Sequence, residues 1–304
     1  MPTISRRLFL QATAGAAVLG GSASYAFAIE PAYRLKVSTY RPAPANWPRH
    51  LRLRIAALAD FHVGEPYMGL ERIEEIIEAT NALEPDLVLM LGDYAPGFRI
   101  LTRPVELDAF AALATRLKAP LGVHAILGNH DWWDDEVAQR TRKGPTVAAR
   151  ALRGVGIPVL ENDAVRLVKD GSPFWILGLG DQIAFLRTRS RVKGVHDLPG
   201  TLAQVTDDAP AILLAHEPDI FVRVPDRVAL TLSGHTHGGQ VRILGYSPVV
   251  PSRYGNRFAY GHVVEGGRHL IVSGGLGTSK VPVRLGVPPE IVLVELGDPL
   301  PATT

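Results

Sequence analysis

The sequence predicts an α/β fold with sheets covered on both faces. Two patterns point there: apolar runs of strand length alternate with amphipathic stretches of helical spacing, and no linker interrupts the alternation. A third agrees with them: the polar clusters fall just after apolar runs, at the strand ends where α/β proteins collect ligands.

In chain order, residues 30–50 carry Pro31, Pro42, Pro44 and Pro48 and read as an extended lead-in. Residues 51–59 read as a strand. Residues 70–83 place Leu70, Ile73, Ile76, Ile77 and Ala79 at helical spacing with glutamates between. A strand is expected at 86–91, a helix at 104–117 with proline near its start, and a strand at 121–127. Residues 136–152 read as a helix broken near Gly144-Pro145. Apolar runs follow at 174–179, 211–215, 228–232, 241–244, 269–272 and 291–296. With no repeat or internal linker, residues 51–304 are expected to form one domain.

Composition narrows the chemistry. Of 304 residues, 46% are hydrophobic and 20% charged, enough for a sizeable core. A formal charge of +2 provides no global basic field, which disfavours nucleic acid as a partner. Cysteine is absent, so disulfides, thiolate sites and cysteine nucleophiles are excluded. Any metal must be held by imidazole, carboxylate or amide groups.

The first 28 residues read as an export signal. Ser5-Arg6-Arg7-Leu8-Phe9-Leu10 precedes an Ala/Gly-rich run over 12–21, and Ala26-Phe27-Ala28 offers small residues for cleavage. The paired arginines resemble a twin-arginine signal, which implies the twin-arginine machinery as a partner and a periplasmic or cell-envelope location. An uncleaved membrane anchor is the alternative, although the run is short for a span of about 20 residues.

Five polar clusters carry the chemistry: Asp60-Phe61-His62, Gly92-Asp93, Gly128-Asn129-His130-Asp131, His216, and Gly234-His235-Thr236-His237. Alone, each has an ordinary reading: Gly-Asp as a turn, Asn or Asp as a helix cap, histidine as a surface or core residue. Together, each behind a strand, they read as one shared metal site. Five of the ten histidines fall in them, and His50, His124, His196, His262 and His269 are left as ordinary residues.

This order of motifs is similar to that of the calcineurin-like metallophosphoesterase superfamily. The segments Leu213–Asp219, Gly234–Val241, Pro251–Gly255 and Gly275–Ser279 resemble a narrower branch, exported bacterial phosphodiesterases of the YkuE/YaeI type. The resemblance implies a four-layer α/β/β/α sandwich and two divalent metal ions, with Asp93 bridging them. Asp60, His62 and His237 would complete the first site, and Asn129, His216 and His235 the second. Mixed nitrogen and oxygen donors suit manganese, iron or zinc better than calcium. The implied reaction is attack on phosphorus by a hydroxide between metals about 3.5–4 Å apart. His130 is the expected general acid, with Asp131 a candidate to orient it. Many relatives carry a further carboxylate soon after Gly-Asp; Tyr94-Ala95-Pro96 has none, which puts a His–Asp acid pair copied from them in doubt.

The expected function is hydrolysis of a phosphodiester or pyrophosphate of the cell envelope, lipid-linked or a nucleotide-sugar. The alternatives are a broad phosphomonoesterase for phosphate scavenging and a non-catalytic metal-stabilised binding protein. Arg253, Arg257 and Arg284 are candidate phosphate ligands, surface roles being equally open. Phe98, Trp132 and Trp133 are candidates to line a cleft.

Overall fold

The computed structural model describes residues 20–97, 101–188 and 191–298. Arg6, Arg7 and Phe98 lie outside the described residues.

The strands and helices follow in order: β1 (Lys36–Tyr40), β2 (Leu53–Leu58), α1 (Leu70–Asn81), β3 (Leu87–Met90), α2 (Leu107–Ala114), β4 (Val123–Ala125), α3 (Asn129–Trp133), α4 (Glu136–Thr141) and α5 (Val147–Gly154). The second half holds β5 (Asp163–Lys169), β6 (Ser172–Gly178), β7 (Phe185–Thr188), β8 (Arg191–Lys193), α6 (Leu198–Ala203), β9 (Ala211–Leu214), β10 (Val228–Ser233), β11 (Gly261–Glu265), β12 (Arg268–Val272) and β13 (Glu290–Leu296). One sheet has the order β1-β13-β2-β3-β4, and the other β11-β12-β10-β9-β6-β5. The β7–β8 hairpin stands apart from both.

The period of two along each strand sorts side chains into layers. In β2 and β3, Leu53, Ile55, Ala57, Leu87 and Leu89 face the second sheet, while Ala56, Leu58, Val88 and Met90 face helices. In β6 and β9, Phe174, Ile176, Ile212 and Leu214 enter the same inter-sheet core, while Trp175, Leu177, Ala211 and Leu213 face outward. Strands buried on both faces must read as continuous apolar runs, as these do. Ile73, Ile76 and Ile77 of α1, Phe110 and Ala114 of α2, and Ala149 and Leu152 of α5 cover the first sheet. Leu198 of α6, with Ile220 and Phe221 of a helical turn, covers the second. The result is the expected α/β/β/α sandwich.

Several sequence expectations shift. Lys36–Tyr40, inside the proline-rich lead-in, is the edge strand of the first sheet and runs parallel to β13. The run at 241–244 forms no strand; Val241 makes one bridge to Leu285. Strands β5 and β11 stand at the two edges of the second sheet with little buried surface, so neither carries the continuous apolar run by which the central strands are legible. A helical segment over residues 20–33, overlapping the expected export signal, packs on the body. Ala26 is buried with its carbonyl accepting from Arg284 N at 2.9 Å, and Glu30 Oε1 accepts from Val287 N at 2.8 Å. Among the described residues no helix is long and apolar enough to cross a membrane.

Candidate metal centre

Strands β2, β3 and β4 run parallel in one sheet, and β9 and β10 run parallel in the other. The five polar clusters lie just beyond their carboxyl ends, so the two sheets deliver their loops to one place. The loops there are tightly folded. Asp60, His62, Asp93, His235 and His237 all have left-handed backbone, with φ of 55°, 47°, 58°, 69° and 51°. Residues with side chains rarely adopt that region, and such strain gathers at functional sites. Glycines beside them are required by space. A Cβ on Gly128 would stand 2.4 Å from Asp93 Oδ1, and one on Gly234 would stand 2.6 Å from Asp60 Oδ2.

The side chains converge into two groups, Asp60–His62–His237 and Asp93–His216–His235. His62 Nε2 lies 3.1 Å from His237 Nε2, and His237 Nε2 lies 3.6 Å from Asp60 Oδ1. Asp93 Oδ2 stands between the groups, 3.5 Å from His62 Nε2 and 3.2 Å from His216 Nε2. Asn129 Oδ1 lies 2.7 Å from His235 Nδ1, which places the amide at the second group. All seven residues expected as metal ligands are therefore brought together.

The donor set fits divalent cations. Asp60 Oδ2 and His216 Nε2 are buried without a hydrogen-bond partner, a costly state unless a cation satisfies them. The distal ring nitrogens are fixed from behind. His62 Nδ1 is 3.0 Å from Ala95 O and His216 Nδ1 is 2.7 Å from Leu91 O, which aims each Nε2 inward. Burial pushes His62 down to about 3, and it also lowers His235 and His237, so these imidazoles are neutral and free to ligate. Burial opposes the charge on Asp93, yet His216, His130 and His62 hold its carboxyl well below the usual range. Burial pushes Asp60 up to about 7, a penalty that an adjacent cation removes.

His130 borders this centre. Its backbone N donates to Asp93 Oδ1 at 2.7 Å, and its ring centroid is 4.9 Å from that of His62. Its Nε2 lies 3.4 Å from Ser279 Oγ, and Asp134 Oδ2 lies 3.4 Å from its Nδ1. Burial pulls the His130 pKa down, but Asp93 and Asp134 carry it above the ordinary value.

The expected role of Asp131 needs correction. Its two oxygens accept from the backbone N–H groups of Asp93, Tyr94, Ala95 and Gly128, at 2.9 to 3.0 Å. It clamps the Asp93 loop onto the start of α3, and Asp134 stands beside the His130 ring instead. Adjacent residues on a helical turn point about 100° apart, whereas positions i and i+4 share a face. Ser279 and Asp134 escaped the sequence reading. The signals that would have found them are the i,i+4 spacing and the Gly275–Ser279 motif.

The three arginines separate. Arg284 is fully buried, its Nε 3.0 Å from Gly277 O, its Nη1 2.8 Å from Val287 O and its Nη2 3.4 Å from His237 Nδ1. It braces His237 from behind and cannot meet substrate as a surface phosphate ligand. Arg257 makes two bonds of 2.7 Å to Glu265 and covers the Phe258 ring, so it is already engaged. Arg253 is exposed with its Nε 3.2 Å from Asp219 Oδ2, and it lines a cavity of about 210 Å³ with His235, His196, Glu217, Arg223 and Tyr254. That cavity opens beside the second metal group. Trp132 is a core residue against Phe185, while Trp133 packs beside the His130 ring.

Comparison with known proteins agrees with this geometry. The family model for calcineurin-like phosphoesterase matches residues 53–239. The chain is 31% identical to the metallophosphoesterase YkuE of Bacillus subtilis (strain 168), covering 97% of this chain and 99% of the relative. It is 30% identical to phosphodiesterase YaeI of Escherichia coli (strain K12), covering 96% and 99%. A metallophosphoesterase of Aquifex aeolicus (strain VF5) is 30% identical over 87% of this chain and 92% of its own length.

Proposed function

The chain belongs to the calcineurin-like phosphoesterase family and is a metal-dependent phosphoric ester hydrolase with two divalent metal ions, and from that premise we propose that it is a phosphodiesterase of the cell envelope. The carrying observation is Asp93 Oδ2, within 3.5 Å of a histidine of each group, where one carboxylate would be shared by two cations. When bound, such a pair lowers the pKa of water and neutralises phosphate oxygens.

The residues of the chain then divide the work. Asp60, His62 and His237 would hold one cation, and Asn129, His216 and His235 the other. His130, at the rim of the centre and protonated at Nδ1 beside Asp134, gives a proton from Nε2 to the departing ester oxygen. Asp134 orients the ring. The cavity beside His235 accepts the second ester arm, with Arg253 and Arg223 facing its polar groups. Room for a second arm, together with similarity to YaeI, favours diesters or pyrophosphates over monoesters. The twin-arginine-like leader supports export, and therefore envelope substrates, lipid-linked or nucleotide-sugar in kind.

Elemental analysis of the purified chain, joined to turnover of bis-p-nitrophenyl phosphate against p-nitrophenyl phosphate, tests the reading. Two metals per chain and preference for the diester are expected. A monoester preference overturns the diesterase assignment. Loss of periplasmic location in Arg6→Lys/Arg7→Lys is expected from the export reading, and unchanged location would refute it.

A further inference from the structure

The helical segment over residues 20–33 is bonded to the body through the small residues Ala26-Phe27-Ala28 and beyond them. Ala26 is 5% exposed and its carbonyl accepts from Arg284 N at 2.9 Å. The Phe27 carbonyl accepts from the Tyr67 hydroxyl at 2.8 Å. Across the Ala28–Ile29 peptide, Glu30 N donates back to Tyr25 O, so the helical turn runs unbroken through it. Glu30 is 3% exposed, and its Oε1 accepts from Val287 N at 2.8 Å. Arg34 O accepts from Arg72 Nη2 at 2.8 Å. A carboxylate leaves water only where hydrogen bonds or charge replace it. For Glu30 the Val287 amide and the buried Arg284 guanidinium do so.

These contacts converge on the back of the metal centre. Ala26 holds the amide of Arg284 and Glu30 that of Val287, so the N-terminal segment grips residues 284–287 at both ends. Arg284 Nη2 lies 3.4 Å from His237 Nδ1. Val287 packs on the residue after His237: a Cβ on Gly238 would stand 2.9 Å from Val287 Cγ1. His237 has left-handed backbone, a conformation that persists only where its surroundings enforce it. Groups behind a metal ligand also set its aim.

We propose that residues 25–33 are a retained part of the working enzyme, that Glu30 is a positioning residue for His237 acting through residues 284–287, and that the peptide bond after Ala28 is not a processing site. Removal of a leader then falls before Tyr25. A processing protease reads an extended segment whose backbone is free to pair with it. At Ala26–Ala28 the backbone is helical, and the carbonyls of Ala26 and Phe27 are taken. Only the processing assignment rests on the export reading; the bracing of His237 does not.

Hydrogen exchange of the purified full chain, read by mass spectrometry, tests the docking. Peptides covering 25–33 should be protected as the body is. In Glu30→Ala the Val287 amide should exchange about tenfold to a hundredfold faster, the range for losing one hydrogen bond to a charged group. Titrated with manganese in a calorimeter, the same variant should bind about tenfold more weakly, the low end for a group behind a metal ligand. Glu30→Gln keeps an acceptor for Val287 N and should restore both, which separates positioning from general loss of fold. Exchange over 25–33 at the rate of an unstructured chain overturns the proposal, as does wild-type manganese affinity in Glu30→Ala. The intact mass of the chain recovered from the periplasm should correspond to a start at or before Tyr25. A start at Ile29 overturns the processing assignment. A wild-type chain absent from the periplasm refutes export and the processing assignment with it, while exchange and manganese affinity decide the brace.

Discussion

Replacing Asp131 by Asn separates a clamp from a catalytic group. The carboxylate accepts four backbone N–H groups, two on each oxygen. The amide keeps one acceptor oxygen and turns its NH2 toward the other two donors. Hydrogen bonds to a charged group contribute about 1.5–3 kcal/mol each, and buried donors left unpaired cost about 1–3 kcal/mol each. Losing two such bonds and weakening two others comes to about 4–6 kcal/mol, beyond most single substitutions. The assay is urea unfolding of metal-free protein, where metal loss cannot contribute. Asp134→Asn is the counterpart: its partly exposed carboxylate should change stability by less than about 1 kcal/mol, while turnover falls. If Asp131→Asn unfolds within 1 kcal/mol of wild type, on the scale of a surface change, the clamp reasoning fails. If Asp134→Asn also retains full turnover, the ring-orienting role returns to open competition.

Asp93→Asn should lose metal and activity together, measured by elemental analysis and turnover; a fully metallated, active variant would remove Asp93 from between the cations. His130→Gln should keep both metals yet turn over about a hundredfold to ten-thousandfold more slowly, the range for a lost general acid. Wild-type turnover in that variant excludes it as the proton donor. Metal-free protein should weaken in acid through His62: the unfolded chain takes a proton near 6.5, the folded residue only near 3, so this contribution falls as pH drops between those values. Urea midpoints at several pH values should show about one proton less dependence in His62→Gln, and equal slopes would contradict it. Chelation should lower Tm, and restoring cations at a thousandfold their Kd should return about 4 kcal/mol for each occupied site; an unchanged Tm would argue against tight sites.

The ligands are readable in sequence because each sits two to four residues past the end of a buried strand, and such strands announce themselves as apolar runs. The parallel direction of these strands then carries every cluster to the same end of the two sheets. What escaped reading depends on facing across space. Asp131 follows His130 in the chain but turns its carboxylate back to Gly128 N and over to the Asp93 loop. Arg284 resembles any surface arginine in sequence, yet its guanidinium is enclosed by Gly277 and Val287 carbonyls behind His237. Edge strands β5 and β11 lack a second buried face, so they lack the apolar run that marks the others.

The left-handed backbone at five of these residues ties the site to the fold. Each non-glycine residue in that region costs about 1–2 kcal/mol, so five cost on the order of 5–10 kcal/mol, comparable to the net stability of a domain. The loops meet this cost by bonding to one another rather than to water. Asp60 N donates to Gly92 O and His62 N to Asp93 O, both at 3.0 Å, joining the first two clusters. His235 N donates to Asp60 Oδ1 at 2.9 Å, joining one sheet to the other, and Gly234 N donates to His216 O at 3.0 Å within the second. Leu276 N bonds Ala59 O at 2.9 Å, which ties in the segment leading to Ser279. A loop displaced at one cluster therefore strains the next, so the two cation positions are set jointly by both sheets. That coupling is why a carboxylate on β3's loop can stand between a histidine following β2 and one following β9, and why a Cβ at Gly128 would disturb both groups at once.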